Sequence, residues 1–164
     1  MSAFPQDPFG PLDRIDLGVV PLAVVRHEGI AIADLREAFD AGYRAIGVLF
    51  ADGRLIATGP AVAIYHGNPM GTFDLELGFP VLAAPFEAVE SDGVVIAAST
   101  MPPGPATATT VFGSYEGLGA GWQGLVTRTL AEGLTPRGIS IEVYVSDPTE
   151  EPERLRTDLI LPVG

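Results

Sequence analysis

The stretch "ISIEVYV" (residues 139–145) sets one carboxylate inside an apolar strand pattern. Ile141, Val143 and Val145 alternate on one face, which leaves Ser140, Glu142 and Tyr144 on the other. A carboxylate two residues from a tyrosine has two chemistries open to it. It can hold a cation by charge, with aromatic faces adding cation–π attraction on the order of 1 kcal/mol each. It can also act as general base or acid while the phenol orients water or ligand. Apolar surroundings would make the first selective. A carboxylate taken out of water loses hydration, and a cationic ligand offsets that loss where an uncharged one does not. The plain alternative is a strand face that meets water, which is common in antiparallel sheets.

Other chemistries are narrowed by composition. The 164 residues include no Cys, so disulfides, thiol nucleophiles and thiolate metal sites are out. All nine basic residues are Arg, so neither a Schiff-base lysine nor a Walker-type phosphate loop is available. His27 and His66 are the two histidines, too few for an ordinary zinc site without carboxylate help. With Ser and Asp they suggest a hydrolase only weakly, since no GxSxG occurs, and a haem ligand at His66 is as weakly indicated. No metal and no cofactor are expected. "GSYEGLGAG" lacks the GxGxxG and the strand–helix setting of a dinucleotide loop. A net charge of −12 without basic clusters argues against nucleic acid and anionic membranes as partners.

The elements that must position Glu142 come next. Apolar residues make up 47% and charged residues 18%, which predicts a folded domain with a core. No apolar run reaches membrane-spanning length, and the N-terminus lacks the pattern of a secretory signal; the cytoplasm is the expected compartment. Residues 1–17, with Pro5, Pro8 and Pro11, predict an extended arm, and residues 18–164 a single domain. Strands are expected at 19–27, 60–66, 72–81, 93–99, 105–112, 139–145 and 157–163. A first helix carries Leu35, Phe39, Tyr43, Ile46 and Phe50, with Asp34 as its cap. A second carries Leu118, Trp122, Leu125, Val126 and Leu130. The acidic "DPTEEPE" (147–153) suits a solvated hairpin loop.

This order repeats. "GPAVAIYHGNP" (59–69) matches "GISIEVYVSDP" (138–148), setting Tyr65 on Tyr144 and Pro69 on Pro148, and "LELGFPV" matches "TDLILPV", setting Pro80 on Pro162. Leu35 falls on Leu118 and Phe39 on Trp122. Each half, about 19–81 and 93–163, reads as β-α-β-β. The fold class is therefore α+β: tandem β-α-β-β units in a curved antiparallel sheet with two helices on one face. One position breaks the repeat: Glu142 aligns with Ala63.

The string "MPPGPATATTVFGSYEGL", a helix, then "EVYVSDP" and "RTDLILPV", resembles the GyrI-like effector-binding domain, the ligand module of multidrug-responsive and AraC-type regulators that also occurs as stand-alone proteins. The resemblance spans about residues 17–164 and is carried mostly by the second half; the first keeps "RHEG" before a helix. It implies a pocket at the junction of the halves that takes lipophilic, often cationic compounds, a buried Glu on the penultimate strand as charge partner, and aromatic walls. Those positions are Glu142 and Tyr144, Tyr115 and Tyr65. Trp122, Phe112 and Met101 join them as candidates. Trp122 lies on the apolar helical stripe, where core packing is the better reading, and Met101 on a loop where it could line an entrance. The histidine often found before the glycine in the second half is Val111 here. No helix-turn-helix precedes the domain, so DNA binding does not carry over. Some stand-alone relatives hydrolyse strained electrophiles with a Glu and nearby aromatic residues, and others bind proteins such as gyrase. The leading expectation is a stand-alone binder of small lipophilic molecules, cationic or neutral aromatic. The alternatives are a hydrolase using Glu142 and an acidic inhibitor of a protein partner.

Overall fold

The structure is a computed structural model that describes residues 4–67, 71–84, 87–146 and 149–164. In chain order its elements are β1 (Asp13–Leu17), β2 (Pro21–Ile30), α1 (Leu35–Ala51), β3 (Ala61–Gly67), β4 (Phe73–Pro80), β5 (Val89–Ser91), β6 (Val94–Thr100), β7 (Gly104–Phe112), α2 (Leu118–Ala131), β8 (Ile139–Tyr144) and β9 (Arg156–Pro162). The architecture is the expected α+β one of antiparallel strands and two helices, with β2-α1-β3-β4 and β7-α2-β8-β9 as the repeated motif. Contacts divide the chain into two compact units, residues 19–101 and the N-terminal residues up to 18 with 102–164.

In unit 19–101 the strands run in the order β3-β4-β2-β6-β5. Successive side chains point to opposite faces. Leu77 pairs with Val25 and Ala63, and those residues face α1: a Cβ placed on Gly42 would lie 3.4 Å from Leu77. The core joins Ala23, Val25, Ile46, Leu49 and Ile96, with Phe50 and Phe79 packed against it. Burying each such large apolar side chain contributes roughly 1.5–3 kcal/mol. Asp34 does not cap α1 by its side chain; its carboxylate accepts the Ala31 amide at 3.1 Å and closes a 3-10 turn ahead of the helix.

The second unit orders its strands β1-β7-β9-β8. Leu125, Leu159 and Leu161 form its core under α2, with Val111, Leu118, Trp122 and Val126 against them. Thr107 and Thr129 join hydroxyls at 2.8 Å beneath the helix.

Two further features differ from the sequence reading. The arm is not merely extended: Asp13–Leu17 pairs antiparallel with β7, Asp13 opposite Ala108 and Leu17 opposite Gly104, because Ile15 and Leu17 alternate into the core. Ahead of it, Phe9 is buried and its amide donates to Thr110 Oγ1 at 2.8 Å. The Arg156 guanidinium donates to the carbonyls of Pro5, Gln6 and Asp7 while pairing with buried Asp158 at 3.0 Å. The strand at 94–100, read as opening the second repeat, pairs with β2 in the first, Leu22 opposite Ser99. The Pro69–Pro148 correspondence falls outside the described residues.

Candidate functional site

β8 positions Glu142. Its neighbours Ile141 and Val143 are fully buried on one face, and the pairing of Glu142 with Leu159 turns the carboxylate toward α2. Glu142 is only 6% exposed. Both carboxylate oxygens are engaged. The Trp122 indole N–H donates to Oε2 at 2.8 Å, and the Tyr144 hydroxyl donates to Oε1 at 2.6 Å. Hydrogen bonds to a charged group are each worth about 1.5–3 kcal/mol, so these two offset a substantial part of the desolvation of Glu142.

Each donor has a structural reason to be there. Tyr144 lies two residues along the strand, on the same face as Glu142. Trp122 sits on the inner stripe of α2, between Leu118 and Leu125. Tyr115 opens the single 3-10 turn that leads into α2. Its ring meets that of Tyr144 edge to face, with centroids 5.9 Å apart, and it is 43% exposed. A carboxylate, an indole and two phenols thus form one contiguous group, running from a buried charge to a solvent-touching ring.

The remaining sequence candidates are placed differently. Phe112 ends β7 with its side chain 60% exposed. Met101, expected at a loop entrance, does follow β6, but its side chain is fully buried and its amide bonds the Val20 carbonyl. Tyr65 lies in unit 19–101, buried, with its ring 5.6 Å from that of Phe73.

Sequence reading missed a second carboxylate. Glu76 on β4 receives the Ser99 hydroxyl at 2.6 Å and Arg26 Nε at 3.3 Å on Oε1, and His66 Nε2 lies 2.8 Å from Oε2. A cavity of about 190 Å³ opens beside it, lined by Arg26, His27, Glu28, His66, Asp74, Leu75 and Glu76. The only signal in the sequence was the shared parity of His66 and Glu76 on their strands. Among the described residues, no three His, Asp or Glu side chains gather as a metal site. Among them too, no helix is long and apolar enough to cross a membrane.

No family model matches the chain, and no curated protein matches it in sequence. Solved structures do. The EcmrR C-terminal domain superposes with a TM-score of 0.75 at 14% identity, over 93% of this chain and 96% of that one. SAV2435 bound to tetraphenylphosphonium gives 0.63 at 12% identity, over 93% of each. A hydrolase encoded by lin2189 from Listeria innocua gives 0.66 at 13% identity, over 97% and 94%. At these identities the likeness establishes a shared fold.

Proposed function

We propose that this chain is a GyrI-like small-molecule-binding domain that takes lipophilic cations, with Glu142 as their charge partner and Trp122, Tyr144 and Tyr115 as aromatic contacts. The observation that carries the reading is the buried carboxylate of Glu142, oriented by two neutral aromatic donors. The carboxylate lies beside aromatic rings, whose faces themselves favour cations. The fold shared with a protein bound to tetraphenylphosphonium supports the same class of ligand.

A second reading rests on the 2.6 Å hydrogen bond between Tyr144 and Glu142. A carboxylate and a phenol in contact can share proton transfer, with Glu142 as general base toward a water attacking a strained electrophile. A hydrolase among the proteins of the same fold keeps that chemistry in view.

Calorimetry separates the two. Wild type and Glu142→Gln are titrated with tetraphenylphosphonium and with triphenylphosphine oxide, an uncharged aryl compound. The binder loses affinity for the cation and keeps it for the neutral compound. The hydrolase keeps neutral binding and loses turnover of an epoxide or cyclopropane substrate, read by product analysis. If neither cation affinity nor turnover changes, Glu142 has no part in ligand chemistry and the proposal fails.

A further inference from the structure

We infer that Gly121 is a positioning residue for the Glu142 site: its missing side chain lets α2 settle deep enough on β7 and β9 for Trp122 to reach the carboxylate. This rests on the function proposed above for its consequence, though not for its geometry. A Cβ at Gly121 would lie 2.5 Å from Val111 Cγ2 and 3.1 Å from Leu159 Cδ1. Carbon atoms in contact sit at about 3.5–4.0 Å, so α2 would have to rise by on the order of 1 Å. Val111 is β-branched, stiff at χ1 and fixed in a paired strand opposite Thr157, so it does not rotate aside cheaply. The next residue in the chain is Trp122. Its 2.8 Å bond to Glu142 spans from helix to strand and lengthens as they separate; beyond about 3.5 Å it is lost.

The sequence of α2 supports a selective reason for this glycine. The helix also contains Gly119 and Gly124, and glycine is disfavoured inside helices. A Cβ at Gly119 would meet nothing within 4 Å, and the atoms nearest one at Gly124 belong to the guanidinium end of the Arg128 side chain. Gly121 alone among the three faces a paired strand. In the other repeat the position is Ala38, which is itself buried, so α1 is seated with a methyl group in place.

Trp122 is the only tryptophan, so its indole N–H gives one assignable resonance. Its hydrogen-exchange rate in ¹⁵N-labelled protein, without ligand, is compared in wild type, Gly119→Ala, Gly121→Ala, Val111→Ala and the Gly121→Ala/Val111→Ala pair. Glu142→Leu gives the rate without an acceptor. Gly119→Ala adds the same methyl group to the same helix and should keep wild-type protection. Gly121→Ala should lose about tenfold or more, approaching Glu142→Leu. The double variant should return to the Val111→Ala rate. Wild-type protection in Gly121→Ala, or no recovery in the double variant, overturns the inference. If Gly121→Ala does not fold, the comparison of the double variant with Val111→Ala decides alone. Tetraphenylphosphonium titration of the same set reports separately on the ligand. Wild type that fails to bind the cation sinks the proposed function and leaves the exchange result standing. Where it binds, Gly121→Ala should shift affinity by the same factor as Trp122→Phe, and a different factor counts against the positioning role.

Discussion

The two repeats place different residues at the same three positions. Where the second has Glu142, Trp122 and Tyr144, the first has Ala63, Phe39 and Tyr65. Both central residues sit on a strand beneath a helix and opposite a leucine, Leu159 in one case and Leu77 in the other. Neither Ala63 nor Phe39 has a side-chain hydrogen-bonding group. Trp122 adds an indole N–H where Phe39 has only a ring, and that N–H is spent on Glu142. The duplication therefore keeps the frame and differs at this place by a coupled pair of residues. A carboxylate alone in that place would be unsupported, and an indole alone would bury an unmet N–H.

The strongest way to break this comparison is to move only half of it. Ala63→Glu puts a carboxylate at a fully buried position, and Phe39, the equivalent of Trp122, has no side-chain donor to offer it. The expected cost is about 3 kcal/mol or more, from an inadequately paired buried charge. Adding Phe39→Trp should recover part of it. Urea denaturation measures both. An Ala63→Glu variant as stable as wild type would show that the donors around Glu142 are incidental.

The next largest effect belongs to Glu142 itself. Glu142→Gln should weaken tetraphenylphosphonium by more than about 1.5 kcal/mol, near tenfold, and leave a neutral aryl ligand within about twofold. Stability should hold or rise, since no charge is then confined beneath the helix. Thermal unfolding beside calorimetry reads the pair of outcomes. Equal loss for both ligands would mean that shape, not charge, is what the residue supplies.

Tyr144→Phe removes one donor and keeps the ring. The folded state should lose about 1–2 kcal/mol, because Oε1 loses a bond worth more to a bare carboxylate than to one neutralised by a cation. That difference favours binding: affinity for the cation should rise a few-fold while stability falls. Opposite signs in the two measurements are the test. A fall in both would assign Tyr144 to direct ligand contact through its hydroxyl.

Much of this frame is legible in the sequence, for physical reasons that also explain the misses. Strand alternation puts Glu142 and Tyr144 on one face, and the repeat shows that Ala63 takes the equivalent place. Trp122 is harder to read. Its spacing with Leu118 and Leu125 describes a core stripe correctly, but no periodicity reveals that a polar atom of the stripe reaches a strand twenty residues away. β1 was obscured by prolines at 5, 8 and 11; the alternation of Ile15 and Leu17 begins only after them. The strand at 94–100 is plain as a strand, yet its partner is not, because pairing is non-local and both β2 and β7 were open to it. The Glu76 group draws on β2, β3, β4 and β6, so it needed all their registers at once.

Glu76 supplies the smallest and last contrast. The first repeat does have a largely covered carboxylate, its side chain 12% exposed, on the strand face opposite α1, since Leu75 and Leu77 on either side point toward the helix. Its donors are a guanidinium, a hydroxyl and an imidazole, so its charge is already met by polar and cationic groups and not by aromatic rings. Arg26 is half exposed and its contact with Glu76 is long, at 3.3 Å. Exposed pairs of this kind contribute about 0–1 kcal/mol. Arg26→Gln should therefore cost no more than about 0.5 kcal/mol, with Ser99 and His66 still holding the carboxylate. The cost should shrink further in added salt, which screens exposed charges. Affinity of the protein for tetraphenylphosphonium should stay within about twofold, because one cation site at Glu142 is all the proposal requires. A marked gain in cation binding would show that freeing Glu76 opens a second acceptor, and the functional asymmetry between the repeats would then lie in Arg26 rather than in Ala63.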